Sequence, residues 1–338
     1  MAISERSLSD EDVRHMRRAL FLAERGRGTT SPNPIVGAVI VSADDVVVAQ
    51  GAHRVAGGPH AEVIALEEAG AHARGATLYC TLEPCSHTGR TGPCCERVVA
   101  AGIARVVIAT GDPNPDVNGR GIAYLRNHGV QVDLAGVDQE RTARRQNAAF
   151  FTWVSKGRPH VTLKTAVSSD GFAGLENRPS KLTGIGVDRV MHRQRAEVDA
   201  VAVGSSTILV DDPQLTARLV YRERPLTRVI FDRRGRVPTT ARVFATTDAG
   251  PVLVTGASIP EALVDLAARE IVSVLVEGGP ALHRAFWDAD VVDRVQVIET
   301  STVLGGGVEA FRPPQPPDAE RRRIGDDLLI TWDVHRTH

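Results

Sequence analysis

The sequence predicts an α/β protein built from two domains in series, and three observations carry that prediction. The chain has 338 residues, about two domains' worth at roughly 150 residues per domain. Short apolar runs of strand character alternate with helical patterns almost throughout, as in sheets covered by helices. The polar stretch Ser155-Lys156-Gly157-Arg158-Pro159 interrupts the alternation about half-way. It marks a linker at about 155–159 between domains 1–154 and 158–338.

The elements follow in order. A helix is predicted from Asp10 to Gly26, capped by Ser9 or Asp10, with Val13, Met16, Leu20 and Ala23 as its apolar stripe. Two strands, Ile35 to Val41 and Val46 to Gln50, flank a turn at Asp44-Asp45 and read as a hairpin. Helices at Ala61–Gly70, Pro93–Ala101, Gly121–His128 and Asp138–Val154 then alternate with strands at Thr77–Leu82, Arg105–Thr110 and Val130–Leu134. One hairpin followed by alternating strands and helices implies a mixed sheet with helices on its faces. Beyond the linker the alternation restarts. Strands are predicted at His160–Val167, Val198–Val203, Thr227–Phe231, Val252–Thr255, Val272–Glu277, Arg294–Thr300 and Leu328–Val334. Helices are predicted at Gly186–Ala196, Pro260–Glu270 and Pro280–Ala289. Arg312 to Pro317 holds four prolines and reads as loop.

Composition narrows the function. Forty basic and 41 acidic residues leave a formal charge of −1, which argues against binding nucleic acid by bulk charge. Aromatic residues are sparse, so stacking platforms for single strands are not indicated. Apolar runs such as Pro32 to Val41 are too short to span a bilayer, and the first 18 residues lack an apolar signal core. A cytoplasmic protein without membrane association is expected. The four cysteines stand at 80, 85, 94 and 95 and nowhere else. So tight a cluster points to metal or redox chemistry rather than to a disulfide framework.

The sharpest signal is His60-Ala61-Glu62, followed by Pro84-Cys85 and Pro93-Cys94. One imidazole and two thiolates are ligands that zinc prefers, and three protein ligands leave a fourth position open, as in catalytic sites. Glu62, two residues from His60 at a helix start, can take a proton from water and return it to a leaving amine. This is the residue logic of zinc deaminases. Cys80 and Cys95 read as packing. The stretch between Cys85 and Cys94 is polar, basic and glycine-rich, suited to an anion beside the metal.

In the second half no Gly-x-Gly-x-x-Gly follows a strand, so a Rossmann fingerprint is not supported. Glu277-Gly278-Gly279-Pro280, between a strand and a helix, is either a phosphate-binding turn or a plain tight turn. Arginines at 222, 224, 228, 233, 234 and 236, against Glu223 and Asp232, form either a solvated loop or a reader of the NADP 2′-phosphate.

Specific motifs resemble a known family. Ser31-Pro32-Asn33-Pro34, Pro59-His60-Ala61-Glu62-Val63, Thr81-Leu82-Glu83-Pro84-Cys85-Ser86-His87, Gly89-Arg90-Thr91, Pro93-Cys94-Cys95, Asp112-Pro113-Asn114-Pro115 and Gly119-Arg120-Gly121 are similar to the deaminase half of the bifunctional deaminase/reductase of riboflavin biosynthesis. Lys164, Ser168-Ser169-Asp170-Gly171, Val203-Gly204-Ser205-Ser206-Thr207, Asp211-Asp212-Pro213 and Val276-Glu277-Gly278-Gly279-Pro280 are similar to its reductase half. The resemblance implies a cytidine-deaminase-like N-terminal domain and a dihydrofolate-reductase-like C-terminal domain. It implies one zinc ion, on His60, Cys85 and Cys94, with Glu62 catalytic. Asn33, His53, Arg90, Asp112 and Asn114 would contact a phosphorylated pyrimidine. Lys164, Ser180, Arg195, Leu215, Arg218 and Glu277 would face the substrate of the reductase. Ala166, Thr207, Asp211, Arg233, Gly278, Gly279, Pro280 and Ala281 would face NADPH. The activities implied are hydrolytic loss of an amine from 2,5-diamino-6-ribosylamino-4(3H)-pyrimidinone 5′-phosphate and NADPH-dependent reduction of ribosyl to ribityl. A homo-oligomer is expected. The family's tryptophan near residue 182 is absent, since Ser180-Lys181-Leu182-Thr183 stands there. That departure keeps an alternative open, a deaminase of another nucleotide-like substrate with a degenerate reductase domain. A third possibility is a zinc-stabilised binding module without activity, which the open coordination position and Glu62 count against.

Overall fold

The computed structural model describes residues 8–86, 92–115 and 117–334. Two compact units divide between Lys156 and Gly157. The first contains α1 (Asp10–Ala23), β1 (Gly37–Val41), β2 (Val47–Ala52), α2 (Ala61–Ala69), β3 (Thr77–Cys80), α3 (Cys94–Ala100), β4 (Arg105–Ile108), α4 (Arg120–Asn127), β5 (Gln131–Leu134), α5 (Val137–Gln146) and α6 (Ala148–Lys156). Its sheet runs β2-β1-β3-β4-β5, antiparallel across β2, β1 and β3 and parallel from there on.

Alternate strand residues feed two cores. Leu78 and Cys80 pack on one face with Ala61 and Ala65 of α2, Val98 of α3 and Leu125 of α4. Tyr79 and Val107 pack on the other with Met16 and Leu20 of α1 and Ala143 of α5. α1 opens with the capping box the Ser9 cap suggested. Asp12 N–H donates to Ser9 Oγ and Ser9 N–H to Asp12 Oδ2, each at 3.1 Å. Gly51 in β2 decides how close α2 can lie, because a Cβ there would stand 2.1 Å from the Ala61 carbonyl oxygen. Cys80 and Cys95 are both buried in the first core, where they act as small apolar side chains.

The single helix expected over 138–154 is two helices. Asn147 breaks it by turning its amide to Ile35, accepting from Ile35 N–H at 2.8 Å and donating to Ile35 O at 3.0 Å. Likewise α1 ends at Ala23, and a 3-10 turn takes its place up to Gly26.

The second unit contains β6 (His160–Val167), β7 (Phe172–Gly174), α7 (Ile185–Glu197), β8 (Ala200–Gly204), α8 (Ser205–Asp211), β9 (Thr227–Phe231), β10 (Val252–Thr255), α9 (Ile259–Ala268), β11 (Ser273–Gly278), α10 (Pro280–Asp288), β12 (Arg294–Glu299), β13 (Val308–Glu309), β14 (Glu320–Ile324) and β15 (Asp327–Asp333). The large sheet runs β10-β9-β8-β11-β6-β12-β15-β14, parallel through β12 and antiparallel after it. Its central strands are buried on both faces, as parallel strands are. Leu163, Val274 and Val276 face Leu263 of α9 and Phe286 of α10. The carboxyl ends of β6, β8, β9 and β11 share one edge of the sheet, where such folds place ligands. Among the described residues no helix is long and apolar enough to cross a membrane.

Candidate active sites

Three loops and helix starts assemble the first site. His60 is the N-cap of α2, Cys94 opens α3, and Cys85 follows β3. Their ligand atoms all lie within 4.8 Å of one another. His60 Nδ1 is 3.1 Å from Cys94 Sγ and 3.6 Å from Cys85 Sγ. Ligands of a tetrahedral zinc stand about 3.5 Å apart, so this donor set fits the metal. Cys94 N–H donates to Cys85 Sγ at 3.3 Å. Hydrogen bonding from the Cys94 thiol, opposed by burial and aided by His60, holds the Cys85 thiol below its ordinary range, toward the thiolate a metal needs.

Glu62 lies in the first turn of α2 and is 3% exposed. Burial pushes its carboxyl up to about 7. Its Oε2 is buried without a hydrogen-bond partner, a cost of about 1–3 kcal/mol that a water or an amine could relieve. A carboxyl that takes and returns a proton near neutrality suits acid–base work.

His53 and Asn33 stand beside this group. The His53 ring meets the His60 ring edge-on, with centroids 5.6 Å apart. His53 Nδ1 donates to the Pro59 carbonyl at 3.0 Å, and Asn33 Nδ2 lies 3.3 Å from Nε2. Burial, opposed by the Pro59 contact, lowers the His53 pKa and keeps the ring neutral at pH 7. Asp112 and Asn114 form an Asx turn, with Asn114 N–H on Asp112 Oδ1 at 2.8 Å. Arg90 lies outside the described residues. Glu83 was not singled out from the sequence. Its buried carboxylate accepts backbone N–H groups from Asp112, Gly119 and Ile122.

The second site gathers at the carboxyl ends of β6 and β11. Glu277 of β11 and Lys164 of β6 are neighbours by register, since Val276 pairs with Leu163. Arg195 of α7 grips Glu277 with both arms of its fork, Nε to Oε1 at 2.6 Å and Nη2 to Oε2 at 2.7 Å. Its Nη1 donates to Thr216 O at 3.0 Å, and the neighbouring Leu215 is buried in the cluster of Val203 and Ile208. Burial works to raise the Glu277 carboxyl, but Arg195 and then Lys164 overcome it and hold the group at about 2. Burial lowers the Lys164 pKa, and Glu277 opposes that. Arg218 is exposed and acts electrostatically on His192, a buried α7 residue absent from the sequence prediction. Ser180 is engaged locally, accepting from Leu175 N–H at 3.1 Å.

The expected cofactor residues line the same edge. Ala166 lies on β6, Thr207 and Asp211 on α8, and Gly278 to Ala281 span the join of β11 and α10. A Cβ on Gly279 would stand 3.6 Å from Thr207 Oγ1, so the Gly278–Ala281 turn touches α8. Arg233 is exposed. Arg236, three residues on, is the one fastened to this edge, donating to Ser205 Oγ at 2.8 Å and Ser206 Oγ at 3.2 Å. Gly278, Gly279, Ser205, Ser206 and Arg236 fit a phosphate-bearing nucleotide. Arg222, Arg224 and Arg228 of the expected arginine cluster are instead engaged elsewhere, on the carbonyls that end α7, on Asp199 and on the Val243 and Gly250 carbonyls.

The family comparisons agree with this geometry. Residues 159–329 match the RibD C-terminal domain, and residues 9–110 match the cytidine and deoxycytidylate deaminase zinc-binding region. The riboflavin biosynthesis protein RibD of Aquifex aeolicus is 40% identical, over 94% of this chain and 97% of its own. The chain belongs to the RibD family of riboflavin biosynthesis proteins. The Escherichia coli RibD is 37% identical over 95% of this chain and 98% of its own. Among solved structures, the diaminohydroxyphosphoribosylaminopyrimidine deaminase/5-amino-6-(5-phosphoribosylamino)uracil reductase of Thermotoga maritima superposes with a TM-score of 0.85 at 35% identity, covering 95% of this chain and 98% of that one. Acinetobacter baumannii RibD gives 0.85 at 34% identity over 96% and 99%. The first unit is therefore cytidine-deaminase-like and the second a RibD-type reductase domain, as the motifs implied.

Proposed function

We propose a residue-level division of labour for a bifunctional zinc deaminase and NADPH-dependent reductase of riboflavin biosynthesis. Deamination belongs to residues 1–154 and reduction to 158–338. The first substrate is the diaminopyrimidinone ribosylamine 5′-phosphate named for the Thermotoga relative, and the second is its deaminated product. What supports this most directly is Glu62, a buried carboxyl with an unpartnered oxygen beside the His60–Cys85–Cys94 donor set.

Zinc on those three ligands would polarise a water and ease its loss of a proton. Glu62 accepts that proton while the water oxygen bonds to the carbon that carries the exocyclic amine. One water proton ends on the ring nitrogen and one, through Glu62, on the amine, so that the C–N bond breaks, ammonia departs and a carbonyl remains. The neutral His53 orients Asn33 toward the pyrimidine. Asp112 and Asn114 bound the pocket, and Arg90 supplies charge for the phosphate. In the second unit NADPH would supply a hydride to the ribosyl C1′. Lys164, Glu277 and Arg195 orient the sugar there, while Ser180, Leu215 and Arg218 complete the substrate side. Thr207, Asp211, Ala166 and the Gly278–Ala281 turn carry the cofactor, with Arg233 near its 2′-phosphate. The enzyme is taken to work in the cytoplasm as a homo-oligomer, which light scattering checks directly.

The deciding experiment follows ammonia and NADPH together on the diaminopyrimidine phosphate. Glu62→Gln should keep zinc and fold while ammonia release falls about 10²–10⁴-fold. Wild-type protein that holds zinc yet releases no ammonia sinks the deaminase half. Failure of NADPH to bind in a calorimetric titration sinks the reductase half.

A further inference from the structure

Glu83 lies two residues before Cys85 and is 3% exposed, yet it neither ligates metal in this arrangement nor belongs to the proton path. Its carboxylate spans two parts of the molecule. Oε2 accepts from Gly119 N–H at 3.0 Å and Asp112 N–H at 3.4 Å, so one oxygen gathers Asp112 and Gly119. Oε1 accepts from Ile122 N–H at 3.1 Å, in the first turn of α4. That helix has no side-chain cap of its own, since its N-cap is Gly119. Glu83 supplies the missing acceptor from a distant strand end, and its negative charge suits a helix N-terminus.

The fit around this carboxylate is tight. A Cβ on Gly121 would stand 2.1 Å from the Pro84 carbonyl oxygen and 3.2 Å from Glu83 Oε1. The Glu83 backbone is fixed as well, donating to Thr110 O at 3.0 Å. Two residues further on, past Pro84, the Cys85 carbonyl accepts from Cys95 N–H at 3.2 Å. The zinc-ligand segment and the Asp112–Asn114 turn are therefore joined through one side chain.

We infer that Glu83 is a positioning residue of the deaminase, holding the Asp112–Asn114 loop in register with the His60–Cys85–Cys94 centre. The inference rests on the deaminase reading and adds to it a coupling between substrate grip and metal centre. Three N–H donors meet two acceptor oxygens, which only a carboxylate provides. An amide in its place offers one oxygen and turns an NH₂ group toward backbone donors. The loop should then drift while His60 and Cys94, held at their own helix starts, and Cys85, held by the Cys94 and Cys95 N–H groups, stay.

The test compares wild type, Glu83→Gln and Glu83→Asp by bound zinc, by steady-state ammonia release, and by hydrogen exchange of the 112–122 segment. In Glu83→Gln zinc should be retained, and exchange at Gly119 and Ile122 should accelerate. KM should rise about 10–100-fold with kcat within about threefold, the scale of misplacement by an ångström or so. Glu83→Asp keeps the charge and should recover part of the KM. Unchanged exchange in Glu83→Gln overturns the inference, as does loss of zinc or fold, which would make Glu83 a general support. If the wild type releases no ammonia, the deaminase reading fails on its own, and the exchange arm still decides whether Glu83 ties the loop.

Discussion

Removing the guanidinium of Arg195 should turn a stabilising carboxylate into a liability. Arg195 and Glu277 have side chains only 14% and 8% exposed and are joined by two short, parallel hydrogen bonds. Glu277 sits at about 2 against an ordinary 4.5. At about 1.4 kcal/mol per unit that displacement corresponds to about 3 kcal/mol. Arg195→Met leaves the carboxylate buried without its partner, and Glu277→Leu leaves the guanidinium so. Each should cost the second unit about 3–5 kcal/mol. The double variant Arg195→Met/Glu277→Leu removes both charges and should cost no more than either alone, for a coupling of about 3 kcal/mol. Scanning calorimetry reads this on the transition that NADPH raises, which identifies the second unit. The acid limb adds a check of sign. Because the folded carboxyl titrates below the unfolded one, its stabilisation is complete above about pH 4.5 and is lost as the pH falls toward 2. Arg195→Met should lose that limb. Single-variant costs that add to within about 0.5 kcal/mol would refute the pair as a unit.

Two further outcomes follow from the first unit. Gly51→Ala drives a methyl to 2.1 Å from the Ala61 carbonyl and should lift the helix that carries His60 and Glu62. We expect a loss of about 1–3 kcal/mol in that unit's melting and reduced zinc content, with NADPH binding unchanged. Asn147→Ala strands the Ile35 N–H and carbonyl and should cost about 1–3 kcal/mol per group, read as a lower urea midpoint for the first unit.

The metal centre was legible because its chemistry is local. His60 and Glu62 share one helix start, and Pro-Cys pairs announce the other ligands, so residue type and spacing suffice. The strand Thr227–Phe231 was legible because a β-branched and apolar run matches burial on both faces, and His160–Val167 because its alternation of apolar and polar residues matches its alternating burial. What escaped depends on partners distant in the chain. Nothing near Asn147 says that its amide is spoken for by Ile35, so the helical pattern reads as continuous. α8 is only seven residues long, and β14, Glu-Arg-Arg-Arg-Ile, is almost wholly exposed and shows no alternation. Glu83 looks like part of a motif spelled around cysteines. Its acceptors' partners lie 29 to 39 residues away.

The pair formed by His53 and Asn33 has a consequence for what the first site can distinguish. An imidazole that gives its Nδ1 proton to the Pro59 carbonyl keeps only a lone pair at Nε2, so the Asn33 atom facing it must be the amide nitrogen. The two ends of an Asn amide look alike in shape, and here the neighbouring tautomer orders them. The end of Asn33 turned away from His53 is its carbonyl oxygen, which can only accept. Under the roles proposed above, a ring edge bearing an amine would be welcomed there as a donor. Once hydrolysis replaces that amine by a carbonyl, acceptor would face acceptor. The same contact would then favour entry of the substrate and departure of the product, with a backbone carbonyl six residues from His53 setting its polarity.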